Sequence, residues 1–149
     1  MSQAVNTIAA ELLLGLMVLA AGLAATAALA PVTGAGLMLS LALYAAMAAL
    51  IWHALNSNRS SLGWPNRVTL LRGLLVAWLA VWIAFPSWLS AGAWTVVAVT
   101  LASLLLDGVD GYLARRLDQS SSFGARFDME VDAALILLLC VLIAHAGIA

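Results

Sequence analysis

Apolar runs of about twenty residues, broken only by short polar turns, leave this chain few folds to choose from. A helix needs about twenty apolar residues to cross the hydrocarbon core of a bilayer. Five runs of that size lie at roughly 8–29, 36–56, 67–85, 91–114 and 127–147. Hydrocarbon offers backbone groups no water to bond, so each run crosses as a helix. The predicted fold is all-α: a polytopic membrane helix bundle of about five transmembrane helices. Composition agrees. The 149 residues are 65% hydrophobic and 9% charged, where soluble domains carry about 25% charged residues. Mean hydropathy is +1.09.

The breaks between runs are turn-like. Pro31 to Gly36 is a short turn, Asn56 to Pro65 a polar loop, Phe85-Pro86-Ser87 a stop, and Arg116 to Gly124 the last loop. The N-terminus lacks a basic leader segment and carries Glu11 at the start of its apolar run. It reads as a first membrane helix that is retained rather than a cleaved signal. Cys140 has no second cysteine to pair with and reads as a small core residue within an apolar run.

All six cations are arginines. Arg59, Arg67 and Arg72 flank the second loop; Arg115, Arg116 and Arg126 flank the fourth. With five spans these loops share one side, and the positive-inside rule makes it the cytoplasmic side. Trp52 and Trp64 fall near that interface and Trp88 and Trp94 near the other, as aromatic anchors do. His53 and His145 read as structural or interfacial. The net charge of -1 argues against a nucleic-acid partner.

The acids are distributed quite differently. Glu11 stands alone; Asp107, Asp110, Asp118, Asp128, Glu130 and Asp132 crowd one stretch bordered by apolar runs. Ionised carboxylates beside hydrocarbon are costly, which marks the stretch as functional. Asp107 and Asp110 are i and i+3 on the fourth helix, so they share a face. Asp128 and Asp132 are i and i+4 on the fifth. A short connection makes the two helices antiparallel neighbours, so both pairs meet near the cytoplasmic end. Four converging carboxylates repel one another unless cations intervene. Oxygen-only ligands suit hard ions such as Mg²⁺ or Mn²⁺, and no His or Cys is placed to favour zinc. A carboxylate-held metal pair suits a diphosphate. Gly111 and Ala114 extend the Asp107 face with small residues, and Arg115 follows as a phosphate partner. Gly124 opens the fifth helix, where bulk would obstruct the site. Asp118 and Glu130 read as solvated, and Arg116 and Arg126 as topology-setting charges.

The pattern D-x2-D-G-x2-A-R-x8-G-x3-D-x3-D, met by Asp107, Asp110, Gly111, Ala114, Arg115, Gly124, Asp128 and Asp132, resembles the signature of the CDP-alcohol phosphotransferases. Pro65-Asn66-Arg67-Val68-Thr69-Leu70-Leu71-Arg72 is similar to the opening of that family's first core helix. The resemblance covers about 65–147. It implies phospholipid biosynthesis: transfer of a phosphatidyl group from a CDP-linked donor such as CDP-diacylglycerol to an alcohol acceptor, with release of CMP. It implies two divalent cations held by Asp107, Asp110 and Asp128, with Asp132 as a further ligand and the general base. Gly111, Ala114, Arg115 and Gly124 are implied at the nucleotide, with Asn66, Thr69 and Arg72 lining the same pocket. A bacterial inner membrane and a homodimer are the expected setting.

Residues 1–64 read as a two-helix N-terminal extension and 65–149 as a partial family core. That core has six membrane helices, of which three are present here, so the chain is expected to be C-terminally truncated or completed by a partner. Two rival classes remain at the sequence level. A cation transporter or channel would spread its acids through the membrane depth. A non-catalytic assembly subunit would not bind CDP-diacylglycerol in a metal-dependent way.

Overall fold

A computed structural model describes residues 3–58, 62–84, 88–119 and 121–147. Every regular element among them is helical. They are α1 (Gln3–Leu29), α2 (Gly34–Asn58), α3 (Trp64–Leu79), a 3₁₀ turn (Ala80–Ala84) that continues α3, α4 (Trp88–Arg116) and α5 (Ser122–His145). Arg59 and the Phe85-Pro86-Ser87 stop lie outside the described residues.

Local chemistry sets the helix ends. α3 is preceded by Gly63 at the N-cap position, whose φ of 75° is open to glycine at no steric cost. Pro65 follows in the first turn, where its missing N–H costs nothing and its φ is already helical. α4 ends with Arg115 and Arg116 against its negative pole. Asp118 then turns left-handed at φ 50°, and Gln119 N–H donates to Ala114 O at 3.1 Å, closing a Schellman motif. α5 is capped by Ser121, whose Oγ accepts from Gly124 N at 2.9 Å.

α3 is the hub and packs against each of the other four helices. Its span is 61% buried within the bundle, against 22% for those of α1, α2 and α4. Pairings along its length fix the helix directions. Arg67 meets Glu11 and Trp78 meets Thr26, so α1 is parallel to α3. Thr33, at the start of α2, reaches Ala84 O, so α2 is antiparallel. Arg72 meets Asp110 near the end of α4 and Asp128 near the start of α5. His145 meets Ile83 O at the other end of α5. Helices α1, α3 and α5 therefore run one way and α2 and α4 the other. This gathers Arg67, Arg72, Arg115, Arg116 and Arg126 at one end of the bundle.

α5 packs on α3 and its 3₁₀ continuation, and buries Phe127, Val131, Leu135, Leu138 and Leu142 at helical spacing. Cys140 is exposed: it lies off that stripe, so the expectation of a core cysteine is corrected. Trp52, Trp64 and Trp94 are exposed; the Trp88 side chain lies outside the described residues. Among the described residues four helices are long and apolar enough to cross a membrane: Val5–Ala28, Gly34–Leu55, Trp64–Ala84 and Gly92–Arg116. The fifth differs because Asp128, Glu130 and Asp132 occupy its first half. Its apolar stretch begins only after them.

Candidate active site

α3 enters the site with Asn66, Thr69 and Arg72, spaced so that all three are buried on the face turned to α4 and α5. Asn66 Nδ2 donates back to Leu62 O at 2.6 Å. Thr69 Oγ1 donates to Asp110 Oδ2 at 2.8 Å. Arg72 goes deepest: its side chain is 0% exposed and meets all four motif aspartates. Nη1 lies 2.9 Å from both Asp107 Oδ1 and Asp110 Oδ2 and also pairs with Asp128 Oδ1. Nη2 pairs with Asp132 Oδ1. Nε has no hydrogen-bond partner among the described residues.

The carboxylates are graded in exposure. Asp110 is buried, while Asp107, Asp128 and Asp132 keep 44%, 37% and 45% of their side chains open. Asp107, Asp110 and Asp128 each offer one oxygen, and these lie within 4.8 Å of one another. That all-oxygen trio fits hard divalent ions. Asp132 stands outside the trio and joins the cluster through Arg72. The convergence expected from the i, i+3 and i, i+4 spacings is therefore present. Arg72 departs from expectation: it sits among the carboxylates instead of lining the cleft beside them.

That cleft has a volume of about 140 Å³ and is lined by Pro65, Asn66, Thr69, Asp110, Ala114, Gln119, Ser121, Gly124, Ala125 and Asp128. Gly124 is required by a close approach. A Cβ there would stand 2.6 Å from Asn66 Oδ1 and 3.0 Å from Ser121 Oγ. The obstruction foreseen at this position is thus a collision between α5 and α3. Gly111 is half-buried and Arg115 exposed; neither lines the cleft, although Arg115 Nη1 would stand 3.6 Å from a Cβ on Gly111. Arg126 and Glu130 are exposed, as is Asp118 in its turn. Arg116 donates to Tyr112 Oη at 2.6 Å.

Gln119 and Ser121 were not legible as cleft residues. They fall within the eight-residue gap of the motif, whose path depends on the turn at Asp118. Gln119 Oε1 accepts from Trp64 N at 3.1 Å, latching the α4–α5 loop to the start of α3. A second pairing also went unforeseen. Arg67 Nη2 and Glu11 Oε1, 2.6 Å apart, join α1 to α3, with the guanidinium 4.9 Å from the Trp64 ring centroid. The lone acid of the first apolar run was the available signal.

A helical membrane bundle with a one-ended carboxylate cluster beside a small cleft defines a class, and comparison names it. Residues 62–149 match the CDP-alcohol phosphatidyltransferase family, to which the chain belongs. It is 39% identical over 80 residues to a CDP-diacylglycerol–glycerol-3-phosphate 3-phosphatidyltransferase of Pseudomonas fluorescens, covering 53% of this chain and 40% of that protein. It is 36% identical over 83 residues to the protein of the same name from Salmonella choleraesuis, covering 53% of this chain and 42% of that protein. The chain thus spans under half the length of these relatives. No solved structure matches it.

Proposed function

We propose that the chain carries the donor half of a phosphatidyl transfer in phospholipid biosynthesis, with CDP-diacylglycerol as donor and CMP as leaving group. Glycerol 3-phosphate is the proposed acceptor, because the relatives' names specify it. The observation that carries the reading is the meeting of Asp107, Asp110 and Asp128 beside a cleft with Thr69 and Asn66 on its wall. Asp107, Asp110 and Asp128 would hold divalent cations, Mg²⁺ or Mn²⁺, with Asp132 at their edge. Bound there, such ions neutralise a diphosphate and stabilise charge on the departing CMP.

The chain's own groups divide the remaining work. Asp132 is half-open and stands outside the trio, which suits a general base. It takes the acceptor hydroxyl proton as that oxygen bonds to the phosphorus bearing the lipid. The bond from this phosphorus to the oxygen of CMP breaks in the same displacement. Thr69 keeps the Asp110 carboxylate turned toward the cluster. Ala114 and Gly124 leave room for the nucleotide against helix backbone, and Gly111 and Arg115 would meet it from the outer rim. The setting proposed is a bacterial inner membrane with the arginine-rich end cytoplasmic, and a second copy as partner.

A cation pathway fits less well, since the described acids all lie toward one end of the bundle. The test is CDP-diacylglycerol binding to the folded chain with and without Mg²⁺ or Mn²⁺, followed by CMP release against a panel of acceptors. Metal-dependent binding is expected; none in a folded sample rejects the reading. Asp132→Asn should lower transfer by at least about 100-fold, as loss of a general base does, while donor affinity changes little. Unchanged turnover would remove Asp132 as base.

A further inference from the structure

Arg72 Nη1 carries two protons yet touches an oxygen of each of Asp107, Asp110 and Asp128. It has more acceptors than it can serve as a hydrogen-bond donor, so it acts there as a centre of charge. These are also the three residues whose oxygens are close enough together to hold a cation. A divalent ion bound at about 2.1 Å by such oxygens and a nitrogen at 2.9 Å from two of them cannot share one centre. Charge points the same way. If all are ionised, one guanidinium leaves three of the four carboxylate charges uncompensated, so the cluster still attracts a stronger cation. The side chain is held only through Nη1 and Nη2, because Nε has no partner among the described residues. Leaving the trio would break carboxylate pairs and no other hydrogen bond.

We propose that Arg72 is the resident counter-ion of the carboxylate site, and that the first divalent cation displaces its Nη1 from Asp107, Asp110 and Asp128. Arg72 is thus a positioning residue that acts through the four aspartates, keeping them gathered and turned inward. Its pair with Asp132, made through the other nitrogen, need not break in the exchange. The proposal rests on reading the trio as the metal-holding residues, and its test separates the two ideas.

Mn²⁺ binding is measured by electron paramagnetic resonance on the 149-residue chain in detergent, for the parent, Arg72→Met and Arg72→Lys. Arg72→Met should bind Mn²⁺ at least about tenfold more tightly than the parent, because a competing charge is gone. Arg72→Lys, which keeps one charge, should fall between them. Equal or weaker binding by a folded Arg72→Met overturns the proposal. A purely structural arginine would not improve metal affinity when removed. Should Arg72→Met not fold, the parent decides the matter through side-chain ¹⁵N-arginine resonances during Mg²⁺ titration, with the Arg72 signal assigned by its loss in Arg72→Lys. That signal is expected to shift in step with Mg²⁺ binding; saturation with the signal unmoved overturns the exchange. Absence of Mn²⁺ and Mg²⁺ binding in every protein would reject the metal reading itself, and the exchange with it.

Discussion

Single residues at this site are constrained by what they touch across helix boundaries. Thr69 illustrates this: its hydroxyl supports a carboxylate oxygen that is otherwise buried in the Arg72 contact. Thr69→Val keeps the shape and removes the donor. It should cost about 1–3 kcal/mol, the range for stripping a partner from a buried polar group, while Thr69→Ser restores most of it. Thermal unfolding in detergent checks both. Gly124 is constrained by volume. Gly124→Ala places a methyl 2.6 Å from Asn66 Oδ1 and must push α5 from α3 or turn Asn66 away from Leu62. Overpacking of this kind costs about 1–3 kcal/mol, and donor affinity should fall with it. Titration with CDP-diacylglycerol would expose the assignment as wrong if affinity held. The need for glycine here was readable from its place in the motif. The identity of the colliding atom was not, since Asn66 is far away in sequence.

At the scale of elements, the carboxylates of α4 and α5 depend on where those helices end and begin. Ser121 caps α5 through Gly124 N–H, and Gln119 ties the same loop to the first residue of α3. Ser121→Ala should cost about 1 kcal/mol, as lost N-caps do, and loosen the first turn of α5. Hydrogen exchange should rise over residues 122–126 and stay unchanged in α1 and α2; uniform protection would refute the cap's role. The helices themselves were legible, because apolar length is a local property of the chain. Their precise spans were less so. The fifth run looks like a full crossing when read as a stretch of letters, yet its first half carries the acids of the site. Gln119 escaped notice because a left-handed residue at Asp118 redirects the loop, and a sequence does not announce that turn at a non-glycine position.

For the whole molecule, the bundle brings one pole of every charged element together. Among the described residues α3 packs against all four other helices, so site and core share one element. Ligands that bind the folded form stabilise it by mass action. Mn²⁺ should therefore raise the unfolding temperature in a saturable way, with the effect reversed by a chelator. At a hundred times its dissociation constant an ion contributes about 2.7 kcal/mol. A flat response would count against cation binding by the trio.

Apolar run length set the helical membrane class from sequence alone, because hydrocarbon tolerates no other backbone at that length. Fixed spacing likewise put Asp107 with Asp110 and Asp128 with Asp132, since helical periodicity acts within a few residues. What Arg72 does was decided only by tertiary structure. Its sequence neighbourhood suited a membrane-end cation or a pocket wall equally well. Packing of α3 between α4 and α5 buried its guanidinium among four carboxylates from 35 to 60 positions away, and no local pattern encodes which opposite charges a central helix will meet.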